Sequence, residues 1–265
     1  MSAYDRDYVP SEQWPTLNVL DSSGFAAYNI PESNALDGRT LTLHLDSAGE
    51  MQVRFAGGGH VELVESGAVS RHTGSVKEVD TDLFLAHFVR GDNELASVVL
   101  VLDLARGVVT VVRSSLVPGQ AKGGLFAEEE VDGGGIDRDT TGRHLRTDEL
   151  VGRRVQYVYG PDNAYEHIYL SENAYAWQCL AGAEKGLADV DRARVWRIRP
   201  DIYLLTWQEK VVPCDGIVIL NFRANQSTGR IWGYDTEAKT TNAIAMGARA
   251  IFLNQTDHDP STWAE

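Results

Sequence analysis

Five side chains able to handle protons fall at strand-like spacing within Val155–Cys179. Tyr157 and Tyr159 lie two apart, and Tyr165, His167 and Tyr169 repeat the interval. In a strand, residues two apart share a face, so the segment would project phenols and an imidazole into one enclosed space. A plain core is filled by Leu, Ile and Val, whereas each buried Tyr hydroxyl requires a partner. The pattern therefore reads as a lined pocket. Tyr203, Leu205, Trp207 and Glu209 form a second stripe of the same period. If Trp207 points inward, so does Glu209, and a partly buried carboxyl has a raised pKa suited to general acid/base work. Tyr157 and Tyr159 could donate paired hydrogen bonds to an oxyanion, with His167 as a second proton-transfer group. Each has a plainer alternative: Glu209 in water at a barrel rim beside Lys210, the tyrosines bonded to backbone carbonyls, His167 as a satisfied core histidine. Lys185 and Arg192, in the stretch AGAEKGLADVDRAR, could reach the mouth and meet an anionic substrate.

Composition narrows the classes. A formal charge of −14, from 24 basic and 38 acidic residues, argues against nucleic acid as a partner. The densest basic cluster, Arg192 to Arg199, alternates with Trp196 and Ile198 and reads as a solvated strand face. Apolar runs such as Ser97–Leu102 are far below the roughly 20 residues of a spanning helix. The opening MSAYDRDYVPSEQWP lacks an apolar export core, so a cytoplasmic protein without membrane partners is expected. Cys179 and Cys214 are too few and too isolated for a disulfide framework, and the seven His show no metal spacing. No G-x-S-x-G, P-loop or G-x-G-x-x-G before a helix is present, which sets aside triad hydrolases and nucleotide enzymes.

These side chains need strands to position them, and the chain reads as strands throughout. Thr40–Asp46, Glu50–Phe55, His60–Glu65, Ser75–Val79, Asp82–Val89, Leu95–Leu104 and Val108–Arg113 alternate apolar and polar residues between tight turns. The second half repeats the first at an offset of about 114 residues at the first match and 119 at the later ones. Gly38–Leu45 resembles Gly152–Tyr159, Asp82–Phe88 resembles Asp201–Trp207, and Val98–Leu104 matches Ile217–Arg223. Between the copies, residues 119–147 contain GQAKGG, EEEVDGGG and DRDTTGR and read as a linker. A meander of this size closes best as a barrel, which leaves no unpaired edge and can hold one small ligand. The copies differ in chemistry. Seven of ten Tyr and five of six Trp, Trp263 among them, follow residue 150, and Leu43 and Leu45 stand where the second copy has Tyr157 and Tyr159. The first copy is therefore expected to be structural and the second to hold the site.

The segment VYGPDNAYEHIYLSENAYAWQCLAGAEKGLADVDR, followed by YLLTWQEKVVPCDGIVILNF and STGRIWGY, resembles the MoaF family, named after molybdenum cofactor biosynthesis protein F. The resemblance is strong over residues 150–256 and looser before them, and it implies two lipocalin-like barrels. The second barrel is also similar to the bacterial phenolic acid decarboxylases, which are single lipocalin-like barrels without a cofactor. Their pattern of a Y-x-Y strand, an aromatic and Glu-rich return strand, an Arg in the next strand and a W-x-E segment falls here on Tyr157 and Tyr159, on Gln178 near the position of the Arg, and on Trp207 and Glu209. In that family the tyrosines and the Arg handle the substrate's carboxylate or phenol, and the Glu moves the proton. Without the cation a substrate carboxylate lacks its counter-charge. The departure points to a related proton transfer, elimination or isomerisation rather than simple decarboxylation.

The expectation is an all-β protein of two tandem antiparallel lipocalin-like (calycin) barrels from an internal duplication. An N-terminal arm would cover 1–30, a structural barrel 31–118, a linker 119–147 and a site-bearing barrel 148–265. The expected function is that of a cofactor-independent lyase or isomerase acting on a small aromatic or conjugated, phenolic or acidic compound. The alternative is a non-catalytic small-molecule binder or an accessory factor in molybdenum cofactor biosynthesis. Tyr157, Tyr159, His167 and Glu209 are the expected catalytic groups. Tyr165, Tyr169, Tyr175, Trp177, Gln178, Tyr203, Trp207, Trp232 and Lys185 are the expected substrate contacts. No metal or cofactor is expected, and an apolar sheet face on the first copy would permit a homodimer.

Overall fold

A computed structural model describes residues 9–21, 24–65, 67–90, 95–259 and 261. Trp263 and the first eight residues lie outside them. The first copy is a closed antiparallel barrel of eight strands. In order they are β1 (Thr40–Leu45), β2 (Gly49–Gly57), β3 (His60–Glu65), β4 (Ala68–Asp80), β5 (Leu83–Val89), β6 (Ala96–Asp103), β7 (Val108–Pro118) and β8 (Leu125–Ile136). A two-residue strand, β9 (Leu145–Arg146), then leads into the second copy. That copy comprises β10 (Arg153–Gly160), β11 (Asn163–Ser171), β12 (Ala174–Ala181), β13 (Ala188–Arg199), β14 (Ile202–Gln208), β15 (Cys214–Asn221), β16 (Gln226–Asp235) and β17 (Thr240–Gln255). Pairing of β12 with β13 and of β10 with β17 closes it, while β9 adds to β13 outside the ring. Among the described residues no helix is long and apolar enough to cross a membrane.

The duplication is visible strand for strand. Asp82 and Asp201, in the hairpins before β5 and β14, both adopt φ of 55°, a left-handed conformation that Asp tolerates better than most residues. One detail of the expected alignment needs correction. Leu83 pairs with Asp103, whereas Ile202 pairs with Asn221, so Ile217 corresponds to Val99 and not to Val98. A slip of one residue exchanges the two faces of a strand: Val98 lies inside its barrel, while Val99 and Ile217 both lie outside.

The expected linker over 119–147 is also corrected, because the whole of β8 lies in it and joins β7 to β1. Its acidic run and three glycines hid the strand. The glycines serve a close approach where the barrel shuts: a Cβ on Gly134 would sit 2.3 Å from the His44 carbonyl oxygen.

The first barrel is filled with hydrocarbon, including Leu41, Leu43, Leu45, Phe55, Phe84 and Phe88. Its outer face on β5, β6 and β7 packs against β13, β14 and β15 of the second, with Leu83, Leu85, Val99 and Val101 meeting Trp196, Ile198, Leu204 and Ile219. Strands such as β14 and β15 are therefore buried on both faces, which is why they read as continuous apolar runs. The seam also corrects part of the expected solvated face of Arg192–Arg199: Arg192 and Arg197 are exposed, but Arg194 and Arg199 are engaged. Arg194 donates to Glu129 at 2.7 Å, and Arg199 pairs with Asp103 and Asp80 at 2.8 Å each. Arg230 is buried against Asp215, which also accepts from Ser114 at 2.6 Å.

Candidate functional site

The inward face of the second barrel is built as the spacing required. β10 supplies Tyr157 and Tyr159, β11 Tyr165, His167 and Tyr169, β12 Tyr175 and Trp177, and β14 Tyr203 and Trp207, all buried. The rings interlock. His167 lies 4.6 Å from Tyr157, 4.9 Å from Tyr175 and 6.4 Å from Trp207 between ring centroids. Tyr165 sits edge-on to Tyr159 at 5.8 Å. Trp207 can lie flat across β15 because its cross-strand partner is Gly216, where a Cβ would fall 1.9 Å from the indole.

Three carboxyl groups gather at the same end of the barrel. Glu209, just after β14, and Glu184, in the β12–β13 connection, line a cavity with the aromatic rings. Asp191 on β13 lies beside them. Each acid accepts a hydrogen bond from an aromatic side chain: Tyr165 to Glu184 at 2.6 Å, Trp177 to Asp191 at 2.7 Å, and Trp207 to Glu209 at 3.4 Å. Burial, with the charges of Asp191 and Glu184 behind it, holds the Glu209 carboxyl well above the usual carboxylate range. Burial likewise raises Glu184, and pushes Asp191 up to about 6, with Asp189 adding to the shift. Such neighbours titrate as a group. Burial depresses His167 to about 3, so its imidazole is neutral at pH 7, and its Nδ1 has no hydrogen-bond partner among the described residues. The hydroxyls of Tyr159 and Tyr175, each raised by burial, have no partner among the described residues.

The N-terminal arm enters this site, which its place in the sequence gave no reason to expect. Helix α1 (Leu17–Asp21) lies along β16 and β17, tied by Asn18 N–H to Asp235 at 2.8 Å and by Asn242 to the Asn18 side chain at 2.9 Å. Leu17, Leu20 and Phe25 join the core of the second barrel, not the first. The Phe25 ring stands 4.7 Å from Tyr159 and 5.4 Å from Tyr165, and Trp14 meets Trp177 edge-on at 5.8 Å. With Leu20 and Phe25 in place the remaining space is about 30 Å³, room for about two water molecules.

Of the expected site residues, Tyr159, Tyr165, His167, Tyr175, Trp177, Trp207 and Glu209 converge on this cavity. Six others lie elsewhere or are engaged. Tyr157 and Tyr169 point inward but bond each other at 2.8 Å beneath the cavity, so the expected Tyr157–Tyr159 donor pair is split. Tyr203 points inward at the other end, where its hydroxyl donates to Glu149 at 2.7 Å. Gln178 is on the outer face with Glu166 and Arg154, one residue off the inward period. Trp232 lies at the seam with Leu116 and Ala127. Lys185 is exposed, and its neighbour Glu184 takes the inward position. Arg192 is exposed on β13, and Lys210 pairs with Asp189 at 2.7 Å rather than with Glu209.

Asp191 and Glu184 were the acids missed. Asp191 shares the period of Ala193 and Val195, a signal hidden by the surrounding DVDRAR; Glu184 sits in a loop and had none. Among the described residues no group of three or more His, Cys, Asp or Glu is placed to hold a metal ion. The arrangement can donate and accept protons against an aromatic wall, and among the described residues no Lys or Arg lines it.

Comparisons with known proteins agree with this two-part architecture. Residues 12–118 match the MoaF N-terminal domain and residues 144–256 the MoaF C-terminal domain. Protein MoaF of Klebsiella aerogenes is 45% identical over 113 residues, a match covering 42% of this chain and 43% of that protein. A Burkholderia vietnamiensis chain provisionally described as a beta-lactamase aligns with 41% of this chain over all of its own length, at 14% identity and a TM-score of 0.34, which carries no argument. With both of its domains matched in order, one to each barrel, the chain belongs to the MoaF family.

Proposed function

We propose that the second barrel binds a small aromatic or conjugated molecule and transfers a proton on it, acting as a cofactor-independent lyase or isomerase. The observation that carries this reading is Glu209. Its carboxyl lines an aromatic cavity, and burial with two acids nearby raises it well above the usual carboxylate range. A carboxyl so tuned can give a proton to substrate and recover it. The unpartnered hydroxyls of Tyr159 and Tyr175 would stabilise charge developing on a substrate oxygen, and the neutral imidazole of His167 would serve as the second proton carrier. The phenolic or acidic substrate expected from the sequence finds no cationic side chain in this lining.

The test is proton exchange in deuterated water, followed by NMR and ultraviolet absorbance, over a panel of hydroxycinnamates, enol-type compounds and their uncharged analogues. Glu209→Gln should lower any turnover about 10²-fold or more with the circular dichroism unchanged. Turnover by the variant at the parent rate would refute the assignment.

The size of the cavity favours a second reading, a non-catalytic binder, since no aromatic ring fits until the arm withdraws. Glu209→Gln would then change affinity, and ligand would be recovered unaltered. Membership of the MoaF family suggests a link to molybdenum cofactor biosynthesis; unchanged molybdoenzyme activity in a deletion strain would remove it.

A further inference from the structure

The charge of the ligand can be argued from the lining of the cavity. Six aromatic rings, those of Phe25, Tyr159, Tyr165, Tyr175, Trp177 and Trp207, surround a space that also receives the carboxyl groups of Glu184 and Glu209. A third acid, Asp191, accepts from the Trp177 indole on the same side. No Lys or Arg is among the lining residues, and the ammonium of Lys210 is held by Asp189. An anion here would meet acids of its own sign without a counter-charge. A cation would meet carboxylates and the negative faces of aromatic rings, the two features that bind ammonium groups.

Independent observations show that the lining awaits polar company. Tyr159 and Tyr175 are 3% and 2% exposed, yet neither hydroxyl has a hydrogen-bond partner among the described residues. His167 Nδ1, on a side chain 6% exposed, also lacks one. A buried atom such as this imidazole nitrogen is seldom left so, and the oxygens of the two tyrosines, open to the cavity, can accept hydrogen bonds from an ammonium.

We infer that the cavity receives the ammonium group of a small organic amine, with the carboxyl groups of Glu184 and Glu209 as its counter-charges and the aromatic rings as its walls. The inference rests on the reading of this barrel as a small-molecule site and specifies its ligand. The Phe25 ring, tilted against Tyr159 and Tyr165, marks the slot that the apolar body of the amine enters when the arm withdraws.

A proton balance accompanies binding. The amine arrives as its ammonium ion, a carboxyl of the cluster gives up its O–H proton to solvent, and the resulting carboxylate pairs with the cation. No bond to carbon forms or breaks. The groups facing Glu209 are Asp191 on β13, Glu184 in the β12–β13 connection, Tyr175 on β12, Tyr159 on β10, His167 on β11 and the Cys214 thiol on β15. None is a cation at neutral pH, so the acids are the groups that respond. Affinity for the amine therefore rises with pH until the acids have ionised.

Isothermal titration calorimetry of the full chain with benzylamine, benzyl alcohol and benzoate, at about pH 6 and about pH 8, tests the inference. Phe25→Ala is titrated beside it, to admit the ring without displacing the arm. Benzylamine should bind at least about tenfold more tightly than either analogue at the higher pH. Its binding should strengthen with pH, and buffers of different ionisation enthalpy should report release of up to about one proton. Glu184→Gln and Glu209→Gln, each checked by circular dichroism, should each weaken benzylamine about tenfold and leave benzyl alcohol within about twofold. Benzoate or benzyl alcohol binding as tightly as benzylamine overturns the amine inference while the barrel remains a small-molecule site. Failure of all three ligands on both proteins overturns the site as well.

Discussion

Asp191→Asn should stabilise the protein at neutral pH and not in acid. Asp191 is 2% exposed and accepts from the Trp177 indole at 2.7 Å and the Lys210 backbone N–H at 3.2 Å. Burial moves its carboxyl from 3.8 to about 6. At low pH both folded and unfolded chains hold the proton and the group contributes its full share. Between about pH 4 and pH 6 the unfolded chain releases its proton and the folded chain keeps it, so stability falls by about 1.4 kcal/mol per unit. The loss is about 3 kcal/mol by pH 7. Asn retains an acceptor oxygen and does not titrate. Its variant should match the parent within about 1 kcal/mol at pH 4 and exceed it by about 3 kcal/mol at pH 7.5. Glu209 shares this titration, so adding Glu209→Gln should contribute less than its own separate effect. Glu129, raised to about 8 by burial and Asp215, is common to both proteins and cancels. Urea unfolding followed by tryptophan fluorescence at three pH values measures the difference. A stability change that is the same at pH 4 and pH 7.5, or a variant weaker than the parent at pH 7.5, would refute the reasoning.

Three further outcomes follow from the geometry. Gly216→Ala, whose new Cβ would fall 1.9 Å from the Trp207 ring, should cost about 1–3 kcal/mol and alter the fluorescence of the ligand-free protein; an unchanged melting temperature would contradict the packing. Tyr157→Phe removes the bond to Tyr169 and should cost about 1 kcal/mol in urea unfolding, whereas Tyr159→Phe, with no partner to lose, should stay within about 0.5 kcal/mol. Equal costs would show that the two hydroxyls are equally engaged. Phe25→Ala should destabilise by about 3–5 kcal/mol yet raise the uptake of small aromatic probes, because the same ring holds the fold and fills the cavity; destabilisation without added uptake would mean that the arm does not gate the cavity.

Local pattern was enough to read the strands, the duplication and the inward stripes. A period of two over Tyr157–Tyr159, Tyr165–Tyr169 and Tyr203–Glu209 has one geometric meaning in a strand, and residues a few apart carry it. The absence of Tyr at Leu43 and Leu45 similarly foretold a first barrel closed with hydrocarbon. Where period two failed, packing was the cause: β8 is interrupted by three glycines, of which Gly134 meets the β1 backbone and Gly133 and Gly135 meet Arg143 and Arg138, and β14 and β15 are apolar on both faces because the first barrel covers them.

What required the folded chain were the contacts between residues far apart. That Phe25 and Leu20 fill a barrel whose strands begin more than a hundred residues later, that Glu184 and Asp191 join Glu209, and that Trp232 faces the other barrel and not a ligand are facts of closure. Alternation along a strand says which side chains share a face. It does not say which face the partner barrel covers, nor which distant segment enters the open end, because those depend on how two closed sheets pack and where the N-terminal arm runs.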